Sequence, residues 1–249
     1  MPSNKITLYD LSSKVSKQCW SPNVWKTRLV LNYKNLPYDT EWLTHITIEP
    51  TLSSYGIPPN EPPKQGPPQS AYTLPAIRLP DGTFVMDSAK IAPVLEEKYP
   101  ENSLRLDTEM HVKAQEVLGQ VAPPLLGVLF PMIMRRMIPE DVVPTWRAKK
   151  EAGFGMTVEE FEAAKGGEKA WEAVKPGLEN LSKFLKEKKK DEGPFILGGQ
   201  VCYGDFVIAG LAEACKRIGE EEIYSRLVRE CPEVKSLHEA CGKWFEKDT

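Results

Sequence analysis

Three short stretches carry side chains that could do chemistry. Trp20-Ser-Pro-Asn-Val-Trp25 places Ser21 directly before a proline able to open a helix. Serine at the N-cap with proline at the first helical position is a common helix start, and an isolated Ser-Pro needs no other use. Behind the first strand of an α/β unit it has a second one. Unpaired amide N–H groups and the helix dipole there favour an anion. A bound thiolate gains from the dipole and from a hydroxyl hydrogen bond. Lowering a thiol pKa by about two units takes about 2.7 kcal/mol, within the range for thiols at helix N-termini. Thr73-Leu-Pro75 opens a strand with proline, which has no N–H to give to a ladder. Either that strand is an edge, or a cis-Pro75 turns the backbone of Leu74 outward to pair with a peptide-like ligand. Asp87-Ser88 opens a further helix. The pair can serve as a cap alone. It also suits an amino-acid head group, the carboxylate on Ser88 and the ammonium on Asp87.

The elements around these residues follow from pattern. Ile6–Leu11 alternates as a strand, and a helical face of Trp25, Leu29, Tyr33 and Leu36 begins at Pro22 and stops before Pro37. Tyr38–Leu43 alternates again, so β-α-β is the simplest arrangement. Residues 49–72 hold seven prolines and two glycines and read as one long loop, of a kind often functional when ordered. A hairpin over 73–86 turns at Pro80-Asp-Gly82, and a helix follows at 88–99 with Pro93 inside it. Residues 100–107 are polar and mark the domain boundary. Beyond them helical patterns cover about 107–138 and 157–190, the second with a break expected at Pro176-Gly177. Phe206–Cys215 is apolar nearly all round, as a buried central helix is, and 220–247 is amphipathic. The expected architecture is a small α/β domain over 1–100 followed by an all-helical domain over 107–249.

Composition removes other classes. The 249 residues carry 32 Lys and Arg against 35 Asp and Glu, a formal net charge of −3, so no basic excess exists for a nucleic-acid backbone. The longest apolar stretch, 121–138, contains three prolines and the Arg135-Arg136 pair, which argues against a membrane span. The N-terminus leads into a strand with no signal-peptide core. The five cysteines, Cys19, Cys202, Cys215, Cys231 and Cys241, form no C-x-x-C, and the three histidines sit near no cysteine pair, so neither a zinc site nor a disulfide framework is expected. A reduced, cytoplasmic protein is the default.

In order and spacing these residues resemble the glutathione transferase superfamily. The run Ser21–Leu31 resembles the omega-class pattern with serine in place of its Cys-Pro cysteine, a serine shared with zeta-class enzymes. Val24 falls where a second redox cysteine would lie, which excludes dithiol chemistry there. Gly198–Asp205 resembles the family's capping box before its buried helix, with Cys202 replacing the hydroxyl residue. Because a thiol is a weak acceptor, a weaker cap is expected, with Asp205 still accepting from the Cys202 N–H. The long proline-rich loop and Ser-Pro-Asn-x-Trp-Lys are most similar to the fungal etherase-like (FuA) class.

The resemblance implies a thioredoxin-like N-terminal domain, an all-α C-terminal domain, glutathione as co-substrate, no metal, and a homodimer. It implies that Ser21 hydrogen-bonds the glutathione sulfur, that Leu74 before Pro75 pairs with the cysteinyl part, and that Asp87 and Ser88 hold the γ-glutamyl head. Lys64, Gln65 and His45 are alternatives for the glycine carboxylate. The implied hydrophobic-substrate pocket lies against the helix carrying Leu126, Phe130, Met134 and Met137, residues that also fit an ordinary core. Trp25, Phe130, Met134 and Met137 are its candidate lining. Arg135 and Arg136 fit either a solvated face or the steering of acidic ligands. The implied activity is glutathione attack on hydrophobic aromatic electrophiles, with aryl ether cleavage or phenolic ligands in range. Two alternatives are an aromatic- or polyphenol-binding protein of ligandin type and a glutathione-dependent thiol reductase using Cys19.

Overall fold

A computed structural model describes residues 5–15, 17–62, 70–187 and 191–249. The chain runs β1 (Ile6–Leu11), α1 (Pro22–Tyr33), β2 (Tyr38–Leu43), α2 (Ile48–Ser54), β3 (Ala76–Arg78), β4 (Phe84–Met86) and α3 (Ser88–Lys98). A four-stranded sheet has the order β2-β1-β3-β4. β1 and β2 are parallel, with Ile6 beside Tyr38 and Leu11 beside Leu43. β3 is antiparallel to both β1 and β4. Leu8 and Ile77, partners across β1 and β3, are fully buried, which anchors the register because a one-residue slip would turn both outward.

The second half is helical: α4 (Met110–Arg136), α5 (Val143–Phe154), α6 (Val158–Lys165), α7 (Gly167–Glu187), α8 (Tyr203–Gly219), α9 (Ser225–Glu230) and α10 (Pro232–Ala240). α4 is long and apolar enough to cross a membrane by length and composition. Here it is a bundle helix whose Ala114, Val121 and Leu125 are buried in the core.

The structure departs from sequence expectation in three places. Residues 49–54, expected as loop, belong to α2, with Pro50 in the first turn where its missing N–H costs nothing. α5 lies in a stretch where no helix was expected, because it buries little besides Trp146. α7 runs unbroken through Pro176. Its stripe of Trp171, Val174, Leu178, Leu181 and Leu185 is buried against the core, and that burial outweighs a proline penalty of about 3 kcal/mol. Gly177 allows the contact, since a Cβ there would lie 2.5 Å from the Gln120 carbonyl oxygen of α4.

α8 is the core helix of the molecule. Asp205 in its first turn accepts from the backbone N–H of Ile196 at 2.8 Å and of Cys202 at 2.7 Å, both buried. Gly210, on the same helix, lets α1 approach closely. A Cβ there would sit 3.1 Å from Trp25 Cβ and 3.3 Å from the Pro22 carbonyl oxygen. The C-terminal segment also holds α1: Asn32 Nδ2 donates to the carbonyls of Trp244 at 2.7 Å and Lys247 at 2.9 Å. The Phe245 ring meets Trp25 edge-on at 5.1 Å. α1 is therefore held by α8 and by the C-terminal segment together.

Removing the Asp205 carboxylate leaves two buried N–H groups without acceptors. Asp205→Ala is expected to lose about 2–4 kcal/mol of unfolding free energy, read from the urea midpoint at unchanged slope.

Candidate active site

Pro22 is the first residue of α1 and Ser21 its N-cap. The first intrahelical bond runs from Trp25 N–H to the Ser21 carbonyl at 3.0 Å. The amides of Asn23 and Val24 thus have no partner inside the helix. The Ser21 hydroxyl makes no capping bond, and no acidic residue stands in the first turn. A helix N-terminus with an uncommitted hydroxyl and no internal carboxylate favours an external anion.

Ser21 lines an apolar cavity of about 430 Å³ between the two halves of the chain. A polar groove of about 700 Å³ adjoins it, bounded by Lys26, Asn60, Pro75, Asp87, Ser88 and Gln115. Asn23, Ser70, Thr73 and Leu74 belong to both, so the two spaces meet beside the start of α1. The Leu74–Pro75 peptide is cis. The Leu74 backbone makes no hydrogen bond to the described residues, which leaves it open to a ligand in the groove. Asp87 has φ +85°, a left-handed conformation that side chains rarely adopt. It is held there by its N–H on the Pro75 carbonyl at 3.1 Å and by its carboxylate, which accepts from Ala89 N–H at 3.0 Å. Ser88 is buried beside it, its carbonyl accepting the Tyr203 hydroxyl at 3.0 Å. Lys26 reaches the Asn23 side chain at 3.0 Å, and its pKa is lowered by burial, against the pull of Asp87. The groove therefore offers an ammonium, a carboxylate, a hydroxyl and open backbone, a set suited to a zwitterionic peptide.

Of the four candidate lining residues, the structure places one at the cavity and three in the core. Trp25 is fully buried and turned toward α8 and Phe245, away from the cavity. Phe130 does line the cavity, on an α4 stripe with Ala122, Leu126, Leu129 and Ile133. Met134 falls one residue round the helix from that stripe and is buried in the core. Met137 lies past the last turn, also buried, its carbonyl accepting Lys14 N–H at 2.9 Å.

Cys19, two residues before Ser21, is wholly buried. Burial first, and then the neighbouring Asp10 carboxylate, push its thiol well above the usual range. Asp10 is held by Arg28 at 2.8 Å in a fully buried ion pair. An inaccessible, protonated thiol cannot exchange with a disulfide, so the Cys19 reductase reading falls. Arg135 and Arg136 pair with Glu162 and Glu222 and line neither space.

Of the three alternatives for a terminal carboxylate, Lys64 and Gln65 lie outside the described residues. His45 lines the apolar cavity and not the groove. Burial lowers its pKa to about 4, helped by Lys150 and Lys149, so it is neutral at pH 7 and supplies no cation. Residues the sequence did not single out include Lys26 and Gln115 in the groove and Trp146, Lys149 and Lys150 in the cavity. Lys26 belongs to the Ser-Pro-Asn-x-Trp-Lys run already noted. The α5 residues carried no signal, because no helix was expected there.

His45 also gives a pH test. Its folded pKa is below the unfolded value of about 6.5, so the unfolded chain binds the extra proton. The stability from burying His45 neutral is present above about pH 6.5 and lost as pH falls toward about 4. His45→Gln is expected to flatten the pH dependence of the melting temperature across that window relative to the parent.

The family model described as glutathione S-transferase, N-terminal domain, matches residues 20–98, and that described as glutathione S-transferase, C-terminal domain, matches residues 112–244. The glutathione S-transferase-like protein ustS of Aspergillus flavus is 28% identical over 97% of this chain and 91% of its own. Glutathione transferase GSTFuA2 of Phanerochaete chrysosporium superposes with a TM-score of 0.84 at 28% identity, covering 99% of this chain and 100% of its own. GSTFuA3 of the same organism gives 0.82 at 28%, covering 96% and 97%. A Ceriporiopsis subvermispora glutathione S-transferase, CsGST63524, solved in complex with glutathione, gives 0.83 at 26%, covering 97% and 98%. With both domain models matched in order and full-length neighbours of the same build, this chain belongs to the glutathione S-transferase family.

Proposed function

We propose that Ser21 is the catalytic residue of a glutathione transferase that directs the thiol at hydrophobic aromatic electrophiles. The observation that carries this reading is the uncommitted Ser21 hydroxyl, at the helix start where the polar groove opens into the apolar cavity. In this reading glutathione lies in the groove. Asp87 and Ser88 take its γ-glutamyl ammonium and carboxylate, and the Leu74 backbone beside Pro75 pairs with its cysteinyl unit. The sulfur then reaches the N-terminus of α1.

The hydroxyl donates to the sulfur, and the dipole with the open amides favours its charge, so the proton leaves to solvent at neutral pH. The thiolate attacks an aromatic electrophile held against Phe130 and Trp146. A carbon–sulfur bond forms, and the leaving group departs with its electron pair: a halide from an aryl halide, a phenolate from an activated aryl ether. Placing sulfur and electrophile in adjoining spaces supplies the proximity term. Ether cleavage and phenolic ligands have the support of the likeness to the FuA-type transferases, as do a homodimer and a cytosolic location. A binding protein of ligandin type would use the same cavity without needing Ser21.

Ser21→Ala is expected to cut glutathione-dependent turnover of a chlorodinitrobenzene by about ten- to a hundredfold, the loss of one charge-assisted hydrogen bond. Cys19→Ala is expected to keep turnover near the parent value. Equal turnover in Ser21→Ala and the parent overturns the assignment of Ser21. Aromatic binding without measurable turnover in the parent favours the ligandin reading.

A further inference from the structure

One wall of the apolar cavity is cationic. Lys149 and Lys150 of α5 both line it, opposite the α4 stripe. Lys149 is exposed and donates to the Ser70 hydroxyl at 2.8 Å. Lys150 is half-buried, its ammonium 4.4 Å from the centre of the Phe130 ring and 5.7 Å from that of Trp146. It makes no ion pair with the described residues, and the charge acting on it is the like charge of Lys149. A cation withdrawn from water over two aromatic rings normally has a counter-ion. The one carboxylate among the described lining residues is Glu49, which is exposed.

His45 lines the same cavity, its ring tilted against Trp20 at 6.5 Å. Its Nδ1 is buried without a partner among the described residues. A neutral imidazole there can donate to or accept from an oxygen on a ligand. Elsewhere the lining includes an apolar platform of Leu126, Leu129, Phe130, Ile133 and Leu211. Apolar floor, unpaired ammonium and orphan ring nitrogen together match a flat apolar body with one negative oxygen-bearing group.

We infer that this cavity selects an aromatic anion, a ring system bearing a carboxylate or phenolate, with Lys150 as the specificity-determining contact and His45 Nδ1 as a second hydrogen-bonding group. The inference rests on reading the cavity as the site for glutathione's aromatic partner. It adds charge as the selected property. A neutral hydrocarbon of the same size would fill the floor and leave Lys150 and Nδ1 as they are. An acid would neutralise the ammonium over Phe130 and Trp146, where low polarity strengthens the attraction.

The test compares naphthoate with its neutral amide, titrated calorimetrically into the glutathione-loaded protein. The parent is expected to bind the acid about tenfold tighter, the size of one charge-assisted contact. Lys150→Met, which keeps the apolar stem, is expected to weaken the acid far more than the amide. Lys150→Arg is expected to retain the preference. Equal affinity for the two compounds in the parent, binding of neither, or a full preference persisting in Lys150→Met overturns the proposal. Should Lys150→Met fail to fold, the parent's own preference must fall as salt is raised, and a salt-independent ratio overturns it. Turnover of a neutral aryl halide, followed in the same parent preparation, separates the two readings. Turnover without charge preference defeats the selectivity alone. A charge preference without glutathione-dependent turnover defeats the transferase reading alone.

Discussion

The start of α1 is a positive end that no acidic side chain of its first turn and no capping bond answers. Pro22 removes one orphan donor, Asn23 and Val24 keep theirs, and the Ser21 hydroxyl leaves them uncapped. An isolated soluble helix would be better capped by that hydroxyl, a contact typically worth about 1 kcal/mol. Here the contact is left unmade at the point where two spaces join. The rest of the architecture holds that point still. α8 packs closely on α1 where residue 210 has no Cβ, and the C-terminal segment is bonded to Asn32. Cys19 N–H is tied to the Asp248 carbonyl at 3.2 Å, which fixes the residues just before Ser21.

The same scaffold puts Ser21 and its neighbour Cys19 in different environments. Ser21 is partly exposed at the helix mouth, whereas Cys19 is packed beside the buried Asp10–Arg28 pair. A thiol is intrinsically the better nucleophile, yet its environment keeps it protonated and unreachable. Chemistry is therefore decided by position and solvation and not by residue type. In the proposed reading the reacting sulfur is brought in by glutathione. Asp87, Ser88, Lys26 and the open Leu74 backbone border the polar groove on one side of the α1 mouth, and the α4 stripe borders the apolar cavity on the other. Leu74 touches both, and with Asn23 it forms the seam at which the two substrates would meet.

Much of this was readable from the residues alone. β1, α1, β2, the hairpin and α3 appear where alternation, helical spacing and Pro-Asp-Gly placed them. Ser-Pro, Leu-Pro and Asp-Ser are local signals, and each sits at an element start where backbone geometry makes it conspicuous. What escaped was what depends on distant packing. α2 is hidden because Pro50, its small buried face and the proline-rich stretch after it look like loop. α5 was hidden because it buries chiefly Trp146, and with it went Lys149 and Lys150 on the cavity wall. Trp25, Met134 and Met137 lie in the core and not at the cavity for a related reason. Helical spacing says which residues share a face, but not whether that face meets a core or a cavity. Pro176 failed as a breaker because burial along α7 exceeds the local penalty.

The central claim is that the Ser21 hydroxyl and the α1 terminus hold a bound thiol in its charged form. The most direct measurement is the ultraviolet absorbance of the thiolate of protein-bound glutathione, titrated against pH in the parent and in Ser21→Ala. The midpoint in the parent is expected about two units below the ordinary thiol value of about 8.5, and in Ser21→Ala it should return toward that value. A parent midpoint near the free value, or the same depressed midpoint in both proteins, would contradict the claim.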